Sequence, residues 1–228
     1  MVRILCPTYN RLDRLKRAVE SYKTQQTSVP TMLTVIDNGC NPAVADTYKD
    51  WDGYSQGNNN IEVIKYAVNM NPVATINDYV EKNKSDIHTL LFDDDLFYDQ
   101  DSLQKRIQPI LDNRADTTYT DVMDFGQVNR TYIIGVVDIE QLRQNDCLYF
   151  GSMAWNETAW DKAGPLDETM WLQSDWLFKL KLFKYSRVEY VPEITMLAER
   201  HMGQELVKHQ HRINETRIIK AMIHRGEL

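Results

Sequence analysis

His88-Thr89-Leu90-Leu91-Phe92-Asp93-Asp94-Asp95 is the stretch on which the fold of this chain turns. A short apolar run closed off by acidic residues reads as a buried strand. Three adjacent carboxylates at its mouth repel one another at neutral pH unless solvent or a cation relieves them. Two readings follow. The triplet is an acidic turn that ends the strand and caps what comes next. Alternatively, two of its members hold a divalent metal at the strand's carboxyl end, a usual place for phosphate chemistry.

Upstream, three more apolar runs repeat the pattern. Val2 to Cys6 is stopped by Pro7, Met32 to Ile36 ends at the turn signal Asp37-Asn38-Gly39, and Ile61 to Ala67 precedes Asn69-Met70-Asn71. Helical spacing falls between them. Asn10 reads as a cap with Leu12, Leu15, Val19 and Tyr22 on one face, and Asn71-Pro72 opens a helix with Val73, Ile76 and Val80 inward. Asp101 with Gln104 opens another through Leu103, Ile107 and Leu111, which Pro109 should shorten or kink. Alternating strands and helices predict an α/β fold with a mainly parallel sheet and helices on both faces. Such sheets bind ligands beyond the carboxyl ends of their strands. All four ends here are polar and lie on one rim, which points to one site.

Past residue 115 the pattern changes. Thr117 to Val128, Thr131 to Val137 and Cys147 to Trp155 read as strands without long helices between them, hence a small antiparallel part. Ser174 to Lys184 is a strong helix. Val188 to Val191 and Ile194 to Ala198 are short strands split by Pro192, and Gln204 to His224 is a polar terminal helix. No repeat or Gly/Ser-rich linker interrupts the chain. One domain over 1–228 is expected, with a ligand-binding half (1–115) and a second half (116–228).

The 228 residues are 43% hydrophobic and 26% charged, as in an ordinary globular protein. A formal charge of −7 argues against non-specific nucleic-acid binding, which needs a basic surface. Cys6, Cys40 and Cys147 are odd in number and lack zinc-like spacing, so reduced thiols are expected. The first apolar run is too short for a signal peptide and no segment could span a bilayer, which makes a cytoplasmic protein the expectation. No G-x-G-x-x-G follows the first strand and no P-loop motif occurs.

Ile4-Leu5-Cys6-Pro7-Thr8-Tyr9-Asn10-Arg11, Val35-Ile36-Asp37-Asn38-Gly39, Asn69 to Asn77 and Leu91-Phe92-Asp93-Asp94-Asp95 stand in an order that resembles the nucleotide-sugar-binding half of family 2 glycosyltransferases, inverting enzymes of the Rossmann-like GT-A fold. The resemblance covers roughly the first 110 residues. Pro72 and Thr75 stand where relatives often have Gly and Arg.

The resemblance implies roles for particular residues. Pro7, Thr8, Tyr9 and Arg11 would surround the donor, with Tyr9 stacking on the base and Arg11 either near the diphosphate or on the helix surface. Asp37 would accept from the base N–H, which suits uracil or thymine; otherwise it is a turn residue. Asn69 and Asn77 match polar donor-side positions, and Asn71 is either a ligand or a plain helix cap. Asp93 and Asp95 match the Asp-x-Asp motif. Asp95 would bind Mn²⁺ or Mg²⁺ directly and Asp93 the ribose, or the metal through water. Asp94 joins the donor contacts or serves geometry alone. His201 falls where some relatives place a third metal ligand or a phosphate contact.

In the second half, Gly164-Pro165-Leu166-Asp167-Glu168 followed by Ser174-Asp175-Trp176 resembles the family's acceptor segment. Asp175 is then the expected base, or else a favourable first-turn acid. Asp167 holds the loop or contacts acceptor. Trp155, Trp160, Trp171 and Trp176 cluster nearby, and Trp155 and Trp176 are read as acceptor-pocket aromatics within a group that is mostly core. The expected activity is metal-dependent, inverting transfer of a sugar from a UDP- or dTDP-linked donor to a hydroxyl acceptor such as a glycan. A nucleotidyltransferase of related fold and a non-catalytic binding module are the rivals.

Overall fold

The computed structural model describes residues 1–42, 46–84, 87–170, 172–200 and 209–228, with side chains described from Arg212 onward in the last of these. Four parallel strands, β1 (Val2–Thr8), β2 (Thr31–Asn38), β4 (Asn59–Tyr66) and β5 (Ile87–Leu90), form one half of the sheet in the order β4-β2-β1-β5, with β3 (Ser55–Gln56) at the edge. Leu5 of β1 pairs with Thr34 of β2 on one side and Leu90 of β5 on the other. Being flanked on both sides, β1 must be apolar on both faces, as its near-continuous hydrophobic run is.

Helices cover both faces. Leu15, Val19 and Tyr22 of α1 (Leu12–Lys23) and Leu103 and Ile107 of α3 (Ser102–Leu111) pack with Ile4 and Cys6 on one face. Leu5 lies in the core of the opposite face, with Ile76 and Val80 of α2 (Pro72–Lys82). Also there are α4 (Ile139–Gln144), α5 (Glu157–Ala163), α6 (Ser174–Tyr185) and α7 (His209–His224), through Leu142, Trp160, Phe178 and Ile219.

The fold departs from expectation most clearly in three ways. Asp95–Phe97 forms a short strand β6 that the sequence did not signal, paired antiparallel to β10 (Val188–Arg200) at the far edge of the sheet. The acidic triplet is therefore the crossing from β5 to β6. Secondly, β10 is one strand, parallel to β7 (Thr117–Gly126), with register shifts around Pro192. A bulge accommodates the missing proline donor, and α6 supplies the crossover that a parallel return requires. Among the described residues antiparallel pairing is confined to β3 on β4, β9 (Met153–Asn156) between β5 and β7, β8 (Arg130–Tyr132) on β7, and β6. Thirdly, Asn10 does not cap α1. Arg11 holds that position, while Asn10 sits at φ 55° and accepts a hydrogen bond from the Asn41 N–H. Among the described residues no helix is long and apolar enough to cross a membrane.

Arg106 of α3 ties the halves together. Fully buried, it donates to Thr89 Oγ1 of β5 (2.9 Å), Thr195 Oγ1 of β10 (2.9 Å) and the Gly151 carbonyl before β9 (2.7 Å). His88 on β5 is equally enclosed, stacked on Trp155. Burial pushes its pKa down to about 4.

Because the unfolded chain binds that proton near pH 6.5, His88 costs stability as pH falls from 6.5 towards 4. Urea unfolding of His88→Met should show a smaller loss between pH 7 and pH 4.5 than the parent, by roughly 2–3 kcal/mol. Equal losses in both proteins would mean that His88 titrates normally.

Candidate functional site

The carboxyl ends of β1, β2, β4 and β5 meet on one rim. Gly39, at φ 76°, lies so close to the following connection that an added Cβ would stand 2.5 Å from the Asn69 nitrogen. Asn38 fastens the same connection through Met70, donating to its carbonyl (2.8 Å) and accepting from its N–H (2.9 Å). Asp37 is buried and its Oδ1 accepts from the Cys40 N–H at 2.7 Å, so it forms the turn that the residue order suggested. Tyr9 and Asn69 are exposed on this rim.

The triplet is almost closed to water. Thr8 Oγ1 donates to Asp93 Oδ2 (2.8 Å), and Arg11 Nη1 lies 3.1 Å from Asp93 Oδ1 and 3.2 Å from Asp94 Oδ2. Asp95 Oδ2 accepts from the Tyr149 hydroxyl at 2.7 Å, whereas Oδ1, fully buried, has no well-formed hydrogen bond. Burial raises the Asp93 carboxyl pKa despite Arg11 and Thr8. For Asp95 burial, and then the Asp94 charge, push it far above the usual range, opposed by Tyr149, the Glu199 amide and Arg200. A buried carboxyl with an oxygen so placed is met either by a proton or by a cation.

Those residues fit a hard divalent ion in part. Among the described residues no three His, Cys, Asp or Glu side chains are gathered to hold one unaided. Mg²⁺-type ions commonly take one or two carboxylates and complete their shell with phosphate oxygens and water. Asp95 and Asp93 could supply the protein's share. His201 lies outside the described residues, as does Trp171.

Asp175 opens α6 and borders two cavities. One, of about 210 Å³, is shared with Pro7, Val73 and Phe92 from the first half. The other, about 640 Å³, is walled by Phe92, Tyr149 and Phe150 and reached by Arg200 and Arg212. Glu215 of α7 orders this corner by accepting from the Leu172 and Gln173 N–H groups, both at 2.8 Å. Lys179, one turn on and 1% exposed at its side chain, bridges Asp175 Oδ2 (2.9 Å) and Asp146 Oδ1 (2.7 Å) and donates to the Leu148 carbonyl (2.8 Å). Burial raises the Asp146 pKa, with Lys179 acting against it.

Asp146 and Lys179 were missed by sequence reasoning. The available signal was the i, i+4 spacing of Asp175 and Lys179 together with a lysine among Trp176, Leu177, Phe178 and Leu180. Other expected site residues are engaged elsewhere. Trp155 and Trp176 are core residues, corrected from the acceptor pocket. Trp155 stacks on Phe150 and Trp160, and Trp176 Nε1 donates to the Leu142 carbonyl. Asn77 is engaged by the loop at Leu166. Its amide donates to the Leu166 carbonyl and Glu168 Oε1 and accepts from the Leu166 N–H, because the buried backbone of Leu166 needs partners. Asp167 Oδ1 accepts from the Thr169 N–H and hydroxyl, which holds the loop. Asn71 caps α2 through the Val73 N–H.

The sequence model of the glycosyl transferase family 2 matches residues 4–157. Among solved structures, S. aureus TarS in complex with UDP-GlcNAc superposes with a TM-score of 0.76 at 14% identity, over 96% of this chain and 65% of that one. The mannosyltransferase PcManGT from Pyrobaculum calidifontis, in complex with GDP-Man and Mn²⁺, superposes with a TM-score of 0.63 at 12% identity, over 97% and 61%. At such identities the likeness shows the fold. The chain spans 39% of a longer TarS structure and less than two thirds of the others. No curated protein sequence matches it.

The Lys179 clamp has a measurable consequence. Lys179→Met removes a buried cation from Asp146 and Asp175, whose side chains are only partly buried, and should destabilise the protein by about 1–3 kcal/mol in urea unfolding. Adding Asp146→Asn should recover part of that loss. A loss below about 1 kcal/mol would mean that the three groups are solvated.

Proposed function

The chain belongs to glycosyl transferase family 2 and is a glycosyltransferase of GT-A fold; from its site we propose that it is metal-dependent and inverting, with a UDP- or dTDP-linked donor and a hydroxyl acceptor of glycan type. The observation that carries this reading is the shared cavity. Asp175 from the second half faces the same space as Pro7 and Phe92, which flank the donor rim.

In this reading Tyr9 stacks on the base and Asp37 accepts from its ring N–H. TarS is solved with UDP-GlcNAc and PcManGT with GDP-Man, so the fold serves both nucleotide classes. The acceptor-only oxygen of Asp37 suits a base with a ring N–H, such as uracil or thymine. Asp95, with Asp93, would hold Mn²⁺ or Mg²⁺, which supplies Lewis-acid stabilisation of the leaving diphosphate. PcManGT is solved with Mn²⁺. The orphaned oxygen of Asp95 supports the same assignment here.

The acceptor hydroxyl attacks the anomeric carbon from the face opposite the diphosphate. As that carbon–oxygen bond forms, the bond to the diphosphate breaks and Asp175 takes the hydroxyl proton. Lys179 fixes one Asp175 oxygen, which orients the carboxylate. The larger cavity, with the aromatic rings of Phe92 and Tyr149, suits the apolar face of a sugar acceptor. The three free thiols suit a reducing, cytoplasmic setting.

A thermal-shift screen of UDP-, dTDP-, GDP- and CMP-sugars with and without Mn²⁺ tests the donor site. A UDP- or dTDP-sugar at about 100 times its Kd should raise Tm by roughly 5–10 °C with metal present, and stabilisation by none would remove the donor-site reading. Asp175→Asn should keep that shift yet lower turnover by about 10²–10⁴-fold. Unchanged turnover would exclude Asp175 as the base.

A further inference from the structure

One guanidinium nitrogen serves two members of the acidic triplet. Arg11 Nη1 lies between Asp93 Oδ1 (3.1 Å) and Asp94 Oδ2 (3.2 Å), and Thr8 occupies the other Asp93 oxygen. Beside them Asp95 Oδ1 is buried and orphaned. Arg11 itself is loosely held. Its side chain is 43% exposed and makes no capping bond at the start of α1. Its backbone carbonyl, by contrast, accepts from Arg14 and Leu15 and anchors the helix. The side chain can therefore swing away while the backbone stays in place.

Resting on the metal reading above, we infer that Arg11 is the resident counter-ion of the triplet, displaced when a divalent cation and the donor's diphosphate arrive together. A dication on Asp93 and Asp95 repels a guanidinium a few ångströms away. A diphosphate beside it offers that guanidinium two-pronged acceptors of higher charge than a lone carboxylate. The exchange moves Arg11 from carboxylates to phosphate and leaves the carboxylates to the ion. Before it, Arg11 offsets part of the triplet's charge and lowers its affinity for a free ion. After it, Arg11 contributes to nucleotide affinity. Cation and nucleotide are then coupled through one side chain, and by linkage each tightens the other.

Mn²⁺ titration of the full chain, with free ion followed by electron paramagnetic resonance, tests this in the parent, Arg11→Met and Lys16→Met. Lys16 lies exposed on the same helix and serves as the charge control. Without nucleotide, Arg11→Met should bind Mn²⁺ about tenfold more tightly than the parent, and Lys16→Met within about twofold of it. With saturating UDP, and GDP in a separate arm, the tightening that nucleotide confers on Mn²⁺ should be smaller in Arg11→Met. Equal or weaker Mn²⁺ binding by Arg11→Met, or an equal gain in Lys16→Met, would overturn the inference. Absence of Mn²⁺ binding in all three proteins, with and without either nucleotide, would instead remove the metal dependence on which the inference rests.

Discussion

Three consecutive carboxylates closed off from water are the constraint around which this structure is arranged. Asp93, Asp94 and Asp95 are each less than a tenth exposed, and every neighbouring element answers their charge. The N-terminus of α1 brings Arg11, and β1 brings the Thr8 hydroxyl. The turn before β9 brings Tyr149, while β10 brings Arg200, whose charge also acts on Asp95 and which is itself anchored by Asp124. From behind the sheet Arg106 contributes. Burial brings its pKa down to about 9, against the field of Asp95. A buried cation without a contacting carboxylate is tolerable only when its donors are satisfied, and Thr89, Thr195 and Gly151 do that.

The same groups hold the two halves of the sheet in register. Each partner of the triplet comes from a different element, so the charge cluster acts as a joint. Arg14 and Arg17 of α1 meet Glu199 at the end of β10, the strand on which β6 pairs. The parallel half therefore presents a rim while the mixed half presents Asp175, and the crossing from β5 to β6 fixes one against the other.

What could be read from the sequence follows from these physics. Parallel strands buried on both faces announce themselves as apolar runs, and the polar residues that end them, Asp37, Asn69 and Asp93 to Asp95, follow those runs directly in the sequence. β6 was invisible because Asp95-Leu96-Phe97 is too short for periodicity and its partner lies about a hundred residues away. The parallel return of β10 was hidden by Pro192, which reads locally as a break. Trp155 and Asn77 show another limit. Residue type tells that an indole or an amide will be satisfied, but only packing decides whether a ligand or a neighbouring loop does so. Asp146 carries no local signal, since its importance arises from Lys179 on a distant helix.

The two acidic centres are compensated in physically different ways. Lys179 is buried between Asp146 and Asp175, and withdrawing it would take from two part-buried carboxylates the cation that both contact. That cation is structural, and it gives Asp175 a fixed bearing towards the shared cavity. Arg11 is nearly half in water, so its departure costs little desolvation and its salt bridges are weak ones. Asp95, opposed by Tyr149, the Glu199 amide, Arg200 and, from behind, Arg106, still has its carboxyl held far above the usual range by burial and the Asp94 charge. One centre is built to keep its cation. The other is built to exchange it, and the difference in burial between a lysine and an arginine is enough to set the two apart.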